Sequence, residues 1–359
     1  MTESVEHAPL AADYRIGISG WRYPPWRKTF FPDGLPQKDE LAYASRRFNS
    51  IEINGTFYSM QRPSSYRTWY DQTPDDFIFS VKCPRYVTHI RRLKEVEGPV
   101  ANFFASGVLL LNDKLGPLLW QLPPSMSFDP ARLAAFFSLL PRDTVEAAQI
   151  AKKHDEYLSD TWIKAVRRRP LRHALEVRHA SFQTPEFVAL LREHDVAVVV
   201  ADTAGKWPLI EDVTSDFIYV RLHGDEELYV SGYTNEALHA WEQKLRIWHR
   251  GANLPAQHRL ADPAPARAGG RDVFVYFDND VKVRAPYDAM TLAHRLGLGP
   301  EPGKPPIAKL IAEKPRTSWK WPGRNRRNVQ NAVHRVKQAA RLPPDKSSGG
   351  PAVKNKRRR

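Results

Sequence analysis

Short apolar runs rich in β-branched and aromatic residues recur along the chain, separated by stretches with helical spacing. The runs are RIGISGW (Arg15–Trp21), SIEIN (Ser50–Asn54), FIFSVK (Phe77–Lys82), PLLWQLPP, RHALEV, VAVVVAD, FIYVRLHG and DVFVYFDND. Most are continuously apolar rather than alternating, the pattern of a strand covered on both sides in a parallel sheet. Between them lie DELAYASRRF, with Asp39 placed to cap it, and PSSYRTWYDQ, opened by Pro63 at a favoured first-turn position. Further helical stretches are PVANFFASGVLLLNDKLG as far as Gly116, PARLAAFFSLL, part of the charged segment 141–169, PEFVALLREHD, NEALHAWEQKLRIWHR and a last helix near Pro286–Leu296. Strands alternating with helices eight times predict an α/β protein with a (β/α)8 TIM barrel, for which ~250 residues is typical. An open doubly wound sheet would require a glycine-rich phosphate loop after the first strand, and SGWRYPPW lacks that pattern.

The same pattern divides the chain. Residues 1–13 read as a flexible leader and 14–298 as the barrel. Within the barrel, 251–271 is a flexible Pro/Ala/Gly/Arg loop, and 299–359 form a basic, mostly disordered tail. Charge sharpens this division. The formal net charge is +14, yet the tail alone carries 17 Lys/Arg against 3 Asp/Glu, so residues 1–298 are balanced. An argument for nucleic-acid binding from overall basicity therefore concerns the tail alone. There Trp319 and Trp321 stand among Lys320, Arg324, Arg326 and Arg327, suited to stacking single-stranded bases in a cationic groove. The bland reading of the tail is a solvated extension.

The single cysteine, Cys83, excludes an internal disulfide and a cysteine-rich zinc site and fits a reducing compartment; by parity it is buried and inert. The N-terminus is acidic where a signal peptide is basic, and the chain has no apolar stretch long enough to span a membrane. A cytoplasmic protein without a membrane partner is expected; oligomeric state is unread.

In a barrel of this kind the strand tips converge on one mouth, and the tips here are polar. They supply Trp21; Glu52 and Asn54, then Tyr58; Lys82, then Arg85 and His89; Gln121; Glu176, Arg178 and His179; Asp202; Arg221 and His223; and Asp278 with Asn279. Residues two apart on a strand share a face, so Glu52/Asn54, Ser80/Lys82, Glu176/Arg178 and Arg221/His223 are same-face pairs. A charge on the helix-packed face would be buried without water, at several kcal/mol unless paired, so these pairs belong inside. The alternative reading of each is an internal ion pair closing the barrel end, such as Glu52 with Lys82 or Glu176 with Arg221. Lys82, Arg178 and Arg221 together favour an anionic ligand, phosphate or carboxylate. Glu52, Glu176, His179, Asp202, His223 and Asp278 are possible metal ligands, but they lack tight spacing and the nearby cations oppose a divalent ion; no cofactor or metal is expected. A Schiff-base role for Lys82 competes with a plain salt bridge.

Taken together, GISGWRYPPW, IEINGTFY, FSVKCPRYVTH, DKLGPLLWQLPP, LEVRH, VVVADT, YVRLHG and VYFDND, in this order over Arg15 to Leu296, resemble the domain-of-unknown-function-72, or YecE-like, family. The resemblance implies a (β/α)8 barrel and brings no activity with it; kinship to sugar isomerase and apurinic endonuclease barrels is analogy of fold. The matching motif residues include Trp21, Glu52, Asn54, Tyr58, Lys82, His89, Gln121, Glu176, Arg178, His179, Asp202, Arg221 and His223. The chain departs from the family pattern at Asp278, where an asparagine is usual, and in its tail and 251–271 loop.

The expectation is an enzyme of hydrolase or isomerase type acting on a small or polymeric anionic substrate. Glu52, Glu176, His223 and Asp202 are the catalytic candidates. Trp21, Asn54, Tyr58, Lys82, His89, Gln121, Arg178, His179, Arg221 and Asn279 would bind substrate. The competing readings are a nucleic-acid-binding protein that uses its tail and a non-catalytic small-anion binder.

Overall fold

The apolar runs close into a barrel of eight parallel strands in chain order, each pairing with the next and the last with the first. The strands are β1 (Tyr14–Ser19), β2 (Ser50–Ile53), β3 (Ile78–Lys82), β4 (Leu115–Gln121), β5 (His173–Glu176), β6 (Val196–Asp202), β7 (Phe217–Leu222) and β8 (Asp272–Phe277). The structure, a computed structural model, describes residues 12–225, 232–279 and 283–303. Most of the expected leader and tail, with Trp319, Lys320, Trp321, Arg324, Arg326 and Arg327, lies outside the described residues.

The α-helices are α1 (Glu40–Ala44), α2 (Gly55–Tyr58), α3 (Pro63–Gln72), α4 (Glu97–Ala105), α5 (Pro130–Ser138), α6 (Thr144–Ala151), α7 (Pro185–Glu193), α8 (Asn235–His249) and α9 (Arg284–Arg295). Asp129, Asp143, Thr184 and Thr234 cap α5 to α8 by accepting from free backbone N–H groups of the first turn. Asp39 does not cap α1: it ends a 3-10 turn with helical dihedrals, which keeps its carboxylate out of the capping position. The helix expected to run to Gly116 instead breaks at Gly107. Its φ of 110° lies in the region open to glycine, and a Cβ there would sit 2.6 Å from Pro63 Cα at the start of α3. A 3-10 segment, Val108–Lys114, follows, and the chain then enters β4.

The 251–271 segment contains a 3-10 turn at Ala256–His258 and is tied to the segment before β7. His258 Nδ1 lies 2.7 Å from Glu211 Oε2, and Asp212 accepts from the backbone of Leu260 and Ala261.

Strand parity sorts the barrel into two cores. Ile16, Ile18, Ile51, Ile53, Val81, Trp120, Leu175, Val198, Val200, Val220, Leu222 and Val275 join the outer core, shared with the helices. Leu119, Ala174, Ala197, Val199, Ala201, Phe217, Tyr219, Phe274 and Tyr276 fill the interior. Above them two hydroxyl pairs cross the barrel, Ser50 with Tyr276 at 2.7 Å and Ser80 with Tyr219 at 2.6 Å. The interior thus grades from apolar through hydroxyl to charged towards the C-terminal ends of the strands. No helix among the described residues is long and apolar enough to cross a membrane.

Candidate functional site

The charged layer is organised by Arg221, one step beyond Tyr219 on the inner face of β7. Register puts Arg221 beside Ala201 and Tyr276, and Glu52 of β2 beside Ser19 and Ser80. The Arg221 side chain has no solvent exposure, and all its donors are engaged. Its Nε and one terminal nitrogen donate to the two Glu52 oxygens at 3.1 and 2.9 Å, and that nitrogen also reaches Asp278 Oδ2 at 2.8 Å. The other terminal nitrogen donates to Glu176 Oε2 at 2.7 Å and lies 3.3 Å from His223 Nε2. Five N–H groups in a planar fork match this arrangement, which an ammonium would not.

Each carboxylate has further donors. Glu52 accepts from Ser19 Oγ at 3.0 Å and Tyr219 OH at 2.6 Å. Glu176 Oε1 accepts from Gln121 Nε2 and Arg178 Nε, both at 2.8 Å. Burial by itself would raise the Glu176 carboxyl; Arg178 and Arg221, then His223 and Lys82, outweigh it and hold the group well below the ordinary carboxylate range. Asp278 is likewise drawn to about 2, against burial, by Arg221 and His223. Of Arg221's three carboxylate partners, Glu52 and Glu176 are sealed, whereas Asp278 is 15% exposed. His223 Nδ1 lies 3.2 Å from Asp278 Oδ2, and burial followed by the Arg221 charge lowers its pKa, so the ring is neutral at pH 7.

Around this network stand the cations of the mouth. Arg178 is 11% exposed and its guanidinium lies 3.9 Å from the Trp207 ring centre. Lys82 Nζ lies 4.3 Å over the Phe57 ring. Burial, then the Arg221 charge, brings its pKa down to about 8. His89 sits in the π-helical turn Tyr86–Ile90, edge-on to Phe57, with Nδ1 2.9 Å from Thr88 Oγ1. Burial and the charges of Arg85, Lys82 and Arg178 lower its pKa to about 4, leaving it neutral. Tyr58 is 42% exposed at the rim.

The structure thus gathers Glu52, Glu176, Arg178, Arg221, His223, Gln121, Lys82 and His89, and it changes several expected roles. Arg221 is spent on carboxylates and has no donor for a ligand; Glu52 and Glu176 are sealed under it. Of the two expected ion pairs, Glu176–Arg221 forms, while Glu52 takes Arg221 rather than Lys82. Asp202 stands apart: it is in register with the outward-facing Leu222, and its Oδ2 accepts from Tyr233 OH at 3.0 Å and Trp241 Nε1 at 3.2 Å. Odd and even positions of β6 face opposite sides, and Ala201, not Asp202, faces the barrel. His179 closes a 3-10 turn through Ser181, Asn279 Nδ2 donates to Asp288 on α9 at 2.8 Å, and Asn54 Nδ2 donates to Ser19 O at 3.2 Å. Trp21 is buried against Trp69.

Asp278, rather than Asn279, is the strand-eight group in the mouth, and the parity of Tyr276 with Asp278 was the readable signal. Trp207 had only a weak signal, an aromatic in the loop after β6. The described residues contain no cluster of three or more His, Cys, Asp or Glu side chains arranged to hold a metal ion; a guanidinium occupies the point where the carboxylates converge. A surface pocket of about 360 Å³, lined in part by Ile16, Asn49 and Phe77, lies at the other end of β1–β3.

This geometry stands beside clear likenesses. The chain is 26% identical over 241 residues to the UPF0759 protein YecE of Escherichia coli K12, covering 66% of this chain and 82% of that protein. It is 28% identical over 114 residues to the UPF0759 protein YunF of Bacillus subtilis, covering 30% and 39%. A DUF72 family protein of Thermotoga maritima superposes with a TM-score of 0.60 at 22% identity, over 79% of this chain and 99% of that one. A DUF72 family protein of Enterococcus faecalis gives 0.57 at 14% identity, over 81% and 98%. The family model described as protein of unknown function DUF72 matches residues 15–309, and the chain belongs to that family.

Proposed function

We propose that this protein is an enzyme that acts at the C-terminal mouth of the barrel on an anionic, phosphate- or carboxylate-bearing substrate, by hydrolysis or isomerisation. The observation that carries the reading is that the charges of Lys82, Arg85 and Arg178 all act on a neutral His89, while Lys82 in turn feels the partly exposed carboxylate of Asp278. The cations and the His89 ring bind the anionic group. Asp278 is the proton acceptor, with His223 against its inner oxygen and Arg221 keeping it ionised. Glu52, Glu176 and Gln121 hold the arginines and act as positioning residues.

Inorganic phosphate at ten times its Kd should raise the unfolding free energy by about 1.4 kcal/mol, read as a shift in thermal midpoint. Arg178→Ala should remove most of that shift. Asp278→Asn should keep it and lower turnover of a responsive phosphate ester or carboxylate by about 10²–10⁴. No stabilisation by phosphate, or by a dicarboxylate such as malate, would sink the reading.

A second reading is favoured by the confinement of the net charge to residues 299–359: the tail binds nucleic acid, independently of the barrel. Removing those residues should abolish most of the salt dependence of binding to a single-stranded oligonucleotide; an unchanged salt slope would exclude the tail.

A further inference from the structure

Among the described residues, the Lys82 ammonium enters no hydrogen bond or ion pair. Its expected partner Glu52 is taken by Arg221, Tyr219 and Ser19, and Glu176 by Arg221, Arg178 and Gln121. What it meets is the face of Phe57 at 4.3 Å. Lys82 is the last residue of β3 and is 6% exposed, so the stem is held and the amine opens only narrowly at the mouth. A lysine whose task was structural would be paired with one of the carboxylates that instead go to arginines.

We propose that Lys82 is a nucleophilic amine that condenses with the aldehyde or ketone carbonyl of an anionic substrate to form an imine, an inference that rests on the reading of the mouth as an anion site. In this step the neutral Nζ lone pair forms a bond to the carbonyl carbon, and the carbonyl oxygen takes a proton. The nitrogen passes one of its two protons to that oxygen, a second proton comes from solvent, and the hydroxyl leaves as water to give the protonated imine, so nothing is oxidised or reduced. The protonated imine then draws electrons from the neighbouring C–H or C–C bond. That chemistry belongs to isomerisation or carbon–carbon cleavage rather than to hydrolysis.

The surroundings favour the neutral amine. Burial and the Arg221 charge outweigh the opposite pull of Glu176, Glu52 and Asp278, and about a tenth of the amine is unprotonated at pH 7. An ordinary surface lysine has a neutral fraction about two hundredfold smaller at the same pH. Arg85 and Arg178, the latter paired with Glu176 and stacked on Trp207, add the positive charge that the substrate's anionic group would meet.

The test uses the full chain and pyridoxal 5′-phosphate, an aldehyde that carries a phosphate. At one equivalent and pH 7.5, borohydride reduction followed by peptide mapping should find the adduct on Lys82, and Lys82→Met should lose it. Adducts spread over surface lysines with Lys82 unmodified would overturn the inference, and the wild-type map decides this even if the variant folds poorly. Inorganic phosphate at ten times its Kd should slow Lys82 labelling about tenfold. If phosphate stabilises the protein but Lys82 stays unlabelled, the amine inference falls and the anion site stands. If benzaldehyde labels Lys82 as fast as the phosphorylated aldehyde, and phosphate neither protects nor stabilises, the anion site falls and the nucleophilic lysine stands.

Discussion

Arg221→Met removes the one cation that three strand-tip carboxylates share while keeping most of the side-chain volume. Glu52 and Glu176 have no exposure, so neither can recover its lost partner from water. Breaking a buried pair by removing one partner costs about 3–5 kcal/mol, and in a barrel of about 285 residues, with an unfolding entropy of about 0.6 kcal/mol/K, that lowers the thermal midpoint by about 5–8 °C. The pH dependence is the sharper readout. In the wild type the Glu176 and Asp278 carboxyls are depressed, so their stabilisation is fully present above the unfolded carboxyl value and is lost only as pH falls through the folded one. Between pH 5 and 8 they give a flat profile.

In the variant three carboxylates crowd one buried cluster from which the guanidinium charge has gone, and the cluster must take up a proton to remain buried. The native state then binds more protons than the unfolded state, and stability falls with rising pH by up to about 1.4 kcal/mol per unit for one linked proton. Urea unfolding at half-unit steps from pH 5 to 8 measures both effects. Adding Glu52→Gln to the variant should restore stability and flatten the slope. A loss below about 1 kcal/mol with the wild-type pH profile would refute the claim that Arg221 holds these carboxylates together.

Two further outcomes test the scaffold. His173 is fully buried, its Nδ1 accepts from Trp120 Nε1 at 3.2 Å and its Nε2 donates to Pro141 O at 2.8 Å. Burial lowers its pKa to about 4, so the stability it lends is whole above the unfolded value of about 6.5 and drains as pH falls towards 4. His173→Gln should shrink the acid-side slope of the urea midpoint; His89, lowered in the same sense, leaves a residual slope. Gly17→Ala would place a Cβ 1.8 Å from Ser50 O on the neighbouring strand, and should cost at least about 2–3 kcal/mol in chemical denaturation. A variant as stable as the wild type would mean that β1 and β2 do not approach as described.

The strands were legible because a strand buried on both faces must be apolar along its whole length, and FIYVRLHG or VAVVVAD has no other stable place in a chain of this composition. Parity alone put Glu52, Glu176, Arg221 and His223 inside, since an unpaired charge against a helix layer is too costly. Parity also separates Asp202 from these residues: its neighbour Ala201 faces the barrel, and Asp202 meets Tyr233 and Trp241 instead. The break at Gly107 was hidden, because the approach of Pro63 that demands a glycine there comes from a helix more than forty residues earlier in the chain.

The sequence by itself determined the eightfold alternation, the mouth as the meeting place of the strand tips, and the confinement of net charge to the tail, all of which follow from local pattern. Which charge answers which was decided by tertiary structure alone. Pairing across the barrel depends on register and on the depth each side chain reaches, and these turned Arg221 from a presumed anion grip into a buried clamp. They left Asp278 as the carboxylate in contact with solvent, and gave Glu52, the partner expected for Lys82, to Arg221.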